Sequence, residues 1–266
     1  MAYLLMTYFG QQGRREAQKL LERNAQDGDR LLGAFNRPMP HWLDFFCYTM
    51  FVDRDGKFQL GMLSTSAFKP LAASMGPMLK EESFHLGTGS NGLRRIIKAG
   101  VIPLDMLQRY INKWVATAHD LFGVDESSSA HWAYVWGIKG RWDERKKLEG
   151  DIEVSKETLN EEARKHYHDE IVAEVKKLCG YLPEGAPELY VPHENFNREI
   201  GNFKRQRYTV EGTLFEGSDD EWNAYVAAHL PTAQDEEDLK ELFKQQWVAE
   251  KPMTARQIAS GIGASA

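Results

Sequence analysis

Two helix-forming segments joined by a short serine-rich turn constrain this chain of 266 residues more than any other feature of its sequence. The first segment, residues 41–63, is apolar and aromatic on most sides, as a core helix would be. The second begins near residue 68, after residues 64–66 that can cap it, with Pro70 where a first-turn proline is tolerated. We therefore expect an antiparallel helical hairpin.

Three side chains of the types that bind metals lie at similar distances from the turn on the two arms of this hairpin. Asp53 and Glu82 each lie roughly 15–20 Å from the turn, at a rise of ~1.5 Å per residue. Glu82 and His85 are three residues apart, so a helix presents both on one side. A carboxylate from one arm and a Glu-x-x-His pair from the other form half of a ferritin-like di-iron site. We predict that this chain carries such a half-site.

Two alternatives to this assignment stay open at the level of the sequence. Glu81 also precedes His85 by one helical turn, at four residues, and could be the inward carboxylate in place of Glu82. Asp53 could instead form a surface ion pair with Arg54. The aromatic residues on both sides favour burial, however, and a buried aspartate needs a partner or a metal.

Glycines after His85 spell the pattern GxGxxG. The pattern follows a helix, whereas the dinucleotide-binding motif follows a strand, so it does not indicate a nucleotide site. Gly87 is expected to cap the end of the second helix, and Asn91 with Gly92 to begin the next turn.

Charge and composition exclude several classes of function. An apolar fraction of 42% and a charged fraction of 27% are ordinary for a globular protein, and a net charge of −6 favours neither nucleic acid nor an anionic membrane as partner. Cys47 and Cys179 stand far apart, which suits a reducing compartment better than a disulfide framework. Since no long apolar run is present, we expect a cytoplasmic protein without a membrane span.

The helical patterns cover most of the chain and predict an all-α fold, a ferritin-like helical bundle that is incomplete. Toward the C-terminus prolines and glycines interrupt the helices, and residues 189–191 and 206–215 allow short strands. The apolar residues at the start resemble the end of a helix, which indicates a chain lacking its N-terminal part. The expected regions are the bundle (1–180), an irregular extension with some β structure (181–218), two closing helices (219–250) and a flexible tail (251–266).

The chain also resembles a known family over most of its length. It is similar to the oxygenase components of benzoyl-CoA 2,3-epoxidases, which are ferritin-like di-iron proteins, in FFCYTMFVDRDGKFQL, MLKEESFHLGTGSNGLRRIIKAG and IPLDMLQRYINKW. The likeness continues through HWAYVWGIKGRW and FNREIGNF. It implies that Asp53, Glu82 and His85 are iron ligands, and that the other half of the family's ligand set belongs upstream of Met1.

The resemblance implies an activity and its partners. The reaction would add one atom of O2 across a ring double bond of benzoyl-CoA, with electrons from a separate reductase component; phenylacetyl-CoA or another aryl-CoA is the alternative substrate. Phe46 could wall a pocket for the ring, although core packing explains it equally well. Arg94 and Arg95 could bind coenzyme A phosphates or be ordinary surface residues. A catalytically inactive fragment or a non-enzymatic bundle is the alternative function.

Overall fold

Helices make up most of the fold in the residues that the computed structural model describes, which are 2–22, 33–142 and 158–244. No strand is present in these ranges, and the predicted all-α, ferritin-like fold class is confirmed. The helices are α1 (Ala2–Tyr8), α2 (Gly10–Glu22), α3 (Trp42–Cys47), α4 (Asp53–Leu63), α5 (Lys69–Ala99), α6 (Leu104–Leu121), α7 (Ser128–Val135), α8 (Leu159–Cys179), α9 (Asp219–His229) and α10 (Ala233–Lys244).

The predicted hairpin is present, with α4 and α5 packed against each other as its two arms. Helix α4 ends at Ser64, whose hydroxyl donates a hydrogen bond to the carbonyl oxygen of Gly61 (2.6 Å). The N-cap of α5 is Phe68, and the Ser66 hydroxyl accepts a hydrogen bond from its N–H (3.2 Å). The serine turn therefore supports the start of α5 from just outside the helix.

The end of the second helix was predicted wrongly. Helix α5 continues through Gly87 to Ala99, and the residue that closes it is Gly100, in the left-handed conformation (φ 65°). Gly89 and Gly92 are buried against the first arm: a Cβ atom at Gly89 would lie 2.4 Å from the Met50 nitrogen. Because these glycines let two backbones approach closely, packing with the first arm outweighs their poor helix propensity.

A π-helix interrupts the first arm between α3 and α4. It spans Tyr48–Val52, and the N–H of Asp53 donates to the carbonyl oxygen of Tyr48, five residues earlier. The sequence pattern predicted one uninterrupted helix here. Because π-helical turns are frequently found at functional sites, its position directly before Asp53 is informative.

Helices α6 and α8 pack behind this arm and make polar contacts with it. Buried Arg54 pairs with Glu170 on α8, not with Asp53, and Lys57 donates to the same carboxylate (2.7 Å). On the α6 side, the Trp114 indole N–H donates to the buried carboxylate of Asp44 (2.8 Å). Charged groups buried here are thus paired, as their desolvation requires.

The chain between α8 and α9 is largely irregular, and the strands expected there do not form within its described residues. The Tyr190 N–H, in one expected strand, donates to the Gln108 side chain on α6 (2.9 Å) and not to a neighbouring strand. The other expected strand makes one isolated antiparallel bridge, between Tyr208 and Leu214. A turn with Gly212 at φ 87° separates its two halves, so too little chain is left to extend the ladder.

The chain divides into two compact units, Met1–Leu230 and Pro231–Ala266, and α10 is the described helix of the second. The region boundaries proposed at 180, 218 and 250 stay predictions, and the tail expected at 251–266 lies outside the described residues. Among the described helices, none has the length and apolar character that a bilayer crossing demands.

Candidate metal centre

The three residues singled out on the hairpin converge in the structure. Ligand atoms of Asp53, Glu82 and His85 all lie within 4.8 Å of one another. The His85 Nδ1 atom is 3.5 Å from an oxygen of Asp53 and 3.4 Å from an oxygen of Glu82. Glu81 points to the exposed surface, so the structure selects Glu82 as the inward carboxylate. Within the described ranges, this is the one group of three or more such residues close enough to share an ion.

The two carboxylates lie deeper in the protein than the imidazole. The side chains of Asp53 and Glu82 are 16% and 19% exposed, whereas that of His85 is 53% exposed. Burial, reinforced by the charge of Glu82 and opposed by His85, raises the pKa of Asp53 to about 7. Burial also raises the pKa of Glu82, against the effect of His85. Two acids held this close favour a bound cation, which removes their mutual repulsion.

The donor set fits a metal such as iron. The Oε2 atom of Glu82 is buried, and it lies 3.4 Å from the His85 Nδ1 atom, a long contact that a bound cation would replace with a stronger interaction. Two carboxylates and an imidazole suit first-row metals that include iron. A Cβ atom at Gly56 would lie 3.4 Å from the Glu82 carboxylate, so α4 leaves room for that side chain.

The structure adds two residues that the sequence analysis did not select. Tyr48, in the π-helix, has its pKa raised by burial and by the acids Asp53, Glu82 and Asp55 around it. Asp55 is buried, and desolvation raises its pKa to about 8 despite the hydrogen bond it accepts from the Gln59 amide (3.1 Å). No spacing rule identifies these residues, because the π-helix and the burial of Asp55 both depend on the tertiary fold.

A polar chain leads from Asp55 to the surface. Gln59, its hydrogen-bond partner, accepts a hydrogen bond from Lys139 (3.0 Å), and Lys139 also donates to Asn160 (3.0 Å). Burial lowers the pKa of Lys139, opposed by the charge of Asp55. Lys139 and Asn160 line a cavity of about 540 Å³, together with His131 and Tyr134. Asp55, Gln59 and Lys139 therefore form a hydrogen-bonded polar chain that begins two residues after Asp53.

The residues predicted to bind substrate do not join this cluster. Phe46 packs on Gly92 of α5 and stacks with Trp42 (ring centroids 5.8 Å apart). Arg94 donates to Asn91 (2.8 Å), and its guanidinium lies over the ring of Tyr181. Arg94 and exposed Arg95 follow His85 by two to three helical turns, roughly 13–15 Å. Their role in substrate binding stays a prediction.

Comparison with known proteins agrees with the resemblance noted in the sequence. The protein family described as "Phenylacetic acid catabolic protein" matches residues 1–201. The chain is 36% identical to benzoyl-CoA oxygenase component B of Aromatoleum evansii, over 88% of this chain and 58% of that protein. It is 25% identical to one subunit of the 1,2-phenylacetyl-CoA epoxidase of Escherichia coli (strain K12), over 65% of this chain and 51% of that protein. The chain thus spans little more than half the length of these relatives.

Proposed function

We propose that this chain, which belongs to the phenylacetic acid catabolic protein family, is an oxygenase polypeptide acting on an aryl-CoA thioester. The relatives' names pair benzoyl-CoA with an oxygenase and phenylacetyl-CoA with an epoxidase. Benzoyl-CoA is the proposed substrate, because the relative named for it matches the larger share of this chain, and the proposed reaction is epoxidation of its ring by O2. The observation that carries the proposal is the convergence of Asp53, Glu82 and His85.

In this proposal these three side chains hold iron of a di-iron centre, which when bound supplies the electrons and coordination sites that activate O2. Asp53 and Glu82 bind as carboxylates and offset the positive charge. His85 binds through a ring nitrogen at the exposed edge of the site. Buried Asp55 keeps a proton on its carboxyl group near neutral pH, beside the Gln59 amide, because its pKa is raised. The chain's own contribution is thus to desolvate the centre on one side and leave it open on the other.

Further polypeptides take part in the proposed reaction. One relative is named as a component and the other as one of several subunits, which indicates assemblies of several chains for those proteins. We propose that this chain likewise works with a separate reductase that delivers electrons. This chain covers 58% and 51% of the lengths of the two relatives. The proposal therefore includes iron ligands in addition to Asp53, Glu82 and His85.

Metal uptake by paired variants tests the assignment. Purified chain is loaded anaerobically with Fe(II), and bound iron is measured after desalting. His85→Ala and Glu82→Gln should each lower the iron content severalfold, because each removes one ligand. Glu81→Gln is the matched control, since it changes the neighbouring exposed carboxylate by the same chemistry and should bind iron like wild type.

The amount of iron separates the proposed enzyme from its alternative. Two irons per chain would mean that ligands besides Asp53, Glu82 and His85 are supplied, as the proposed oxygenase requires. Binding of at most one weak ion would favour a non-catalytic helical bundle. Iron uptake unchanged by His85→Ala would reject the ligand assignment itself.

A further inference from the structure

The π-helix between α3 and α4 sets the direction in which Asp53 points. In an α-helix each N–H bonds to the carbonyl four residues earlier, but here the Asp53 N–H bonds to Tyr48, five residues earlier. One extra residue in the turn rotates everything after it by about 100° relative to an unbroken α-helix, which has 3.6 residues per turn. If the π-helix became α-helical while α3 stayed in place, the Asp53 side chain would therefore rotate away from α5.

Side-chain donors support the carbonyl groups of this segment. The Thr49 hydroxyl donates to the carbonyl oxygens of Phe45 (3.0 Å) and Phe46 (3.2 Å). The Arg54 Nε–H donates to the carbonyl oxygen of Met50 (3.2 Å). The switch from α- to π-helical spacing weakens the backbone hydrogen bonds in this segment. The side-chain donors offset part of that loss.

Tyr167 differs from these donors because it comes from another helix. It lies on α8, is fully buried, and its hydroxyl donates to the carbonyl oxygen of Phe51 in the π-helix (3.1 Å). Its ring is held between those of Phe122 (centroids 5.3 Å apart) and His119 (5.5 Å). Because burying a hydroxyl is unfavourable without a partner, this bond fixes the π-helix and α8 to each other.

We propose that Tyr167 is a positioning residue for the metal centre: its hydroxyl holds the π-helix, and the π-helix directs Asp53 toward Glu82 and His85. Helix α5 contacts the same segment, since Gly89 lies against the backbone of Met50. The π-helix thus packs on α5, which carries two of the ligands, and bonds to α8. The inference rests on the proposed metal-binding role of Asp53.

The test compares Tyr167→Phe with a control that also loses one hydroxyl. Tyr167→Phe keeps the ring and its packing. The control is Tyr225→Phe, because the Tyr225 hydroxyl accepts a hydrogen bond from the Val210 N–H (2.9 Å), far along the chain from the π-helix. For each protein the Co(II) dissociation constant, the Co(II) absorption spectrum and, without metal, hydrogen exchange in residues 48–53 are measured.

For Tyr167→Phe we expect the Co(II) dissociation constant to rise roughly tenfold, as when a group that orients a metal ligand is lost. The spectrum should change because Asp53 no longer binds in the same way, and residues 48–53 should exchange faster. Tyr225→Phe should match wild type in all three measurements.

Two results would overturn the inference: a wild-type dissociation constant for Tyr167→Phe, or equal weakening in both variants, which would reflect general stability only. If wild-type chain takes up no Co(II), the proposed function fails instead. Hydrogen exchange then still decides whether Tyr167 holds the π-helix, and unchanged exchange in Tyr167→Phe rejects it.

Discussion

At the scale of single residues, two adjacent glutamates show how burial separates a candidate ligand from a surface charge. Glu81 and Glu82 both stand one turn before His85, and the sequence permits either as its partner. In the structure Glu81 is exposed, while Glu82 lies beside Asp53 and has a buried oxygen 3.4 Å from the His85 ring. The burial of this carboxylate distinguishes Glu82 from Glu81, which spacing alone does not.

A second buried group predicts how stability depends on pH. His119 is fully buried on α6, with one ring nitrogen 3.3 Å from that of His168. Burial lowers the pKa of His119 well below its usual range, and the nearby His168, Arg198 and Arg164 act in the same direction. Burial lowers the pKa of His168 too. Both imidazoles are therefore neutral in the folded chain at neutral pH.

We expect the contribution of His119 and His168 to the free energy of unfolding to fall as pH drops below about 6.5, because the unfolded chain then binds protons at these positions that the folded chain does not. This contribution changes by at most about 1.4 kcal/mol per pH unit for each histidine. Urea unfolding of wild type and variants at several pH values measures it. Relative to wild type, His119→Gln should become more stable as pH drops through this range, and His131→Gln, at an exposed site on α7, should keep the wild-type slope. A curve of wild-type slope in His119→Gln would contradict the prediction.

At the scale of helices, the glycines of α5 decide how close the two arms approach. Gly89 touches the backbone of Met50 and Gly92 touches the ring of Phe46, whereas no described atom lies within 4 Å of a Cβ atom at Gly87. The glycine pattern that resembles a nucleotide motif is thus explained in part by helix packing. The approach of α5 to the π-helix in turn brings the Glu-x-x-His pair beside the aspartate of the first arm.

Two glycine substitutions in the same helix should have opposite effects. Gly89→Ala should lower the free energy of unfolding by about 1–3 kcal/mol, because its methyl group would overlap the Met50 backbone and force the arms apart. Gly87→Ala should raise it by up to about 1 kcal/mol through better helix propensity. Urea denaturation measures both. Equal stabilisation by the two substitutions would show that the arms are not in close contact at Gly89.

At the scale of the whole molecule, the first unit places the candidate ligands on one hairpin, and helices α6 and α8 pack against that hairpin. Helix α8 contributes Glu170, which pairs with Arg54 and Lys57, and Tyr167, which bonds to the π-helix. Helix α6 packs on the π-helix as well. The hairpin thus carries the candidate ligands, and its packing involves helices distant in the sequence.

Metal binding should therefore stabilise the chain globally, and more so at higher pH. The pKa of Asp53 is raised to about 7, so between about pH 4 and 7 the metal-free folded chain keeps a proton that the unfolded chain releases. The contribution of Asp53 to the stability of the metal-free chain therefore falls as pH rises through this window, and a cation that replaces the proton restores it. At a free metal concentration of 100 times Kd, the gain is about 2.7 kcal/mol.

The midpoint of thermal unfolding, measured with and without Co(II) at pH 5.5 and 7.5, tests this expectation. The increase caused by Co(II) should be larger at pH 7.5 and absent in His85→Ala. An increase that is equal at both pH values, or larger at pH 5.5, would contradict it.

Local sequence patterns were sufficient to predict the helical class, the hairpin and the three residues that converge on it. These features follow from local periodicity, turn residues and the rise of a helix, all of which act within a few turns of chain. The spacing of Asp53 and the Glu82–His85 pair from the turn was sufficient to predict that they meet.

Where α5 ends, which of the two adjacent glutamates is buried, and the π-helix before Asp53 all depend on tertiary contacts. Helix α5 continues past Gly87 because contacts with the first arm favour it, and propensity alone does not contain those contacts. The π-helix is bonded to Tyr167, 116 residues away from Phe51. Such features depend on partners that chain folding brings together, so no local pattern records them.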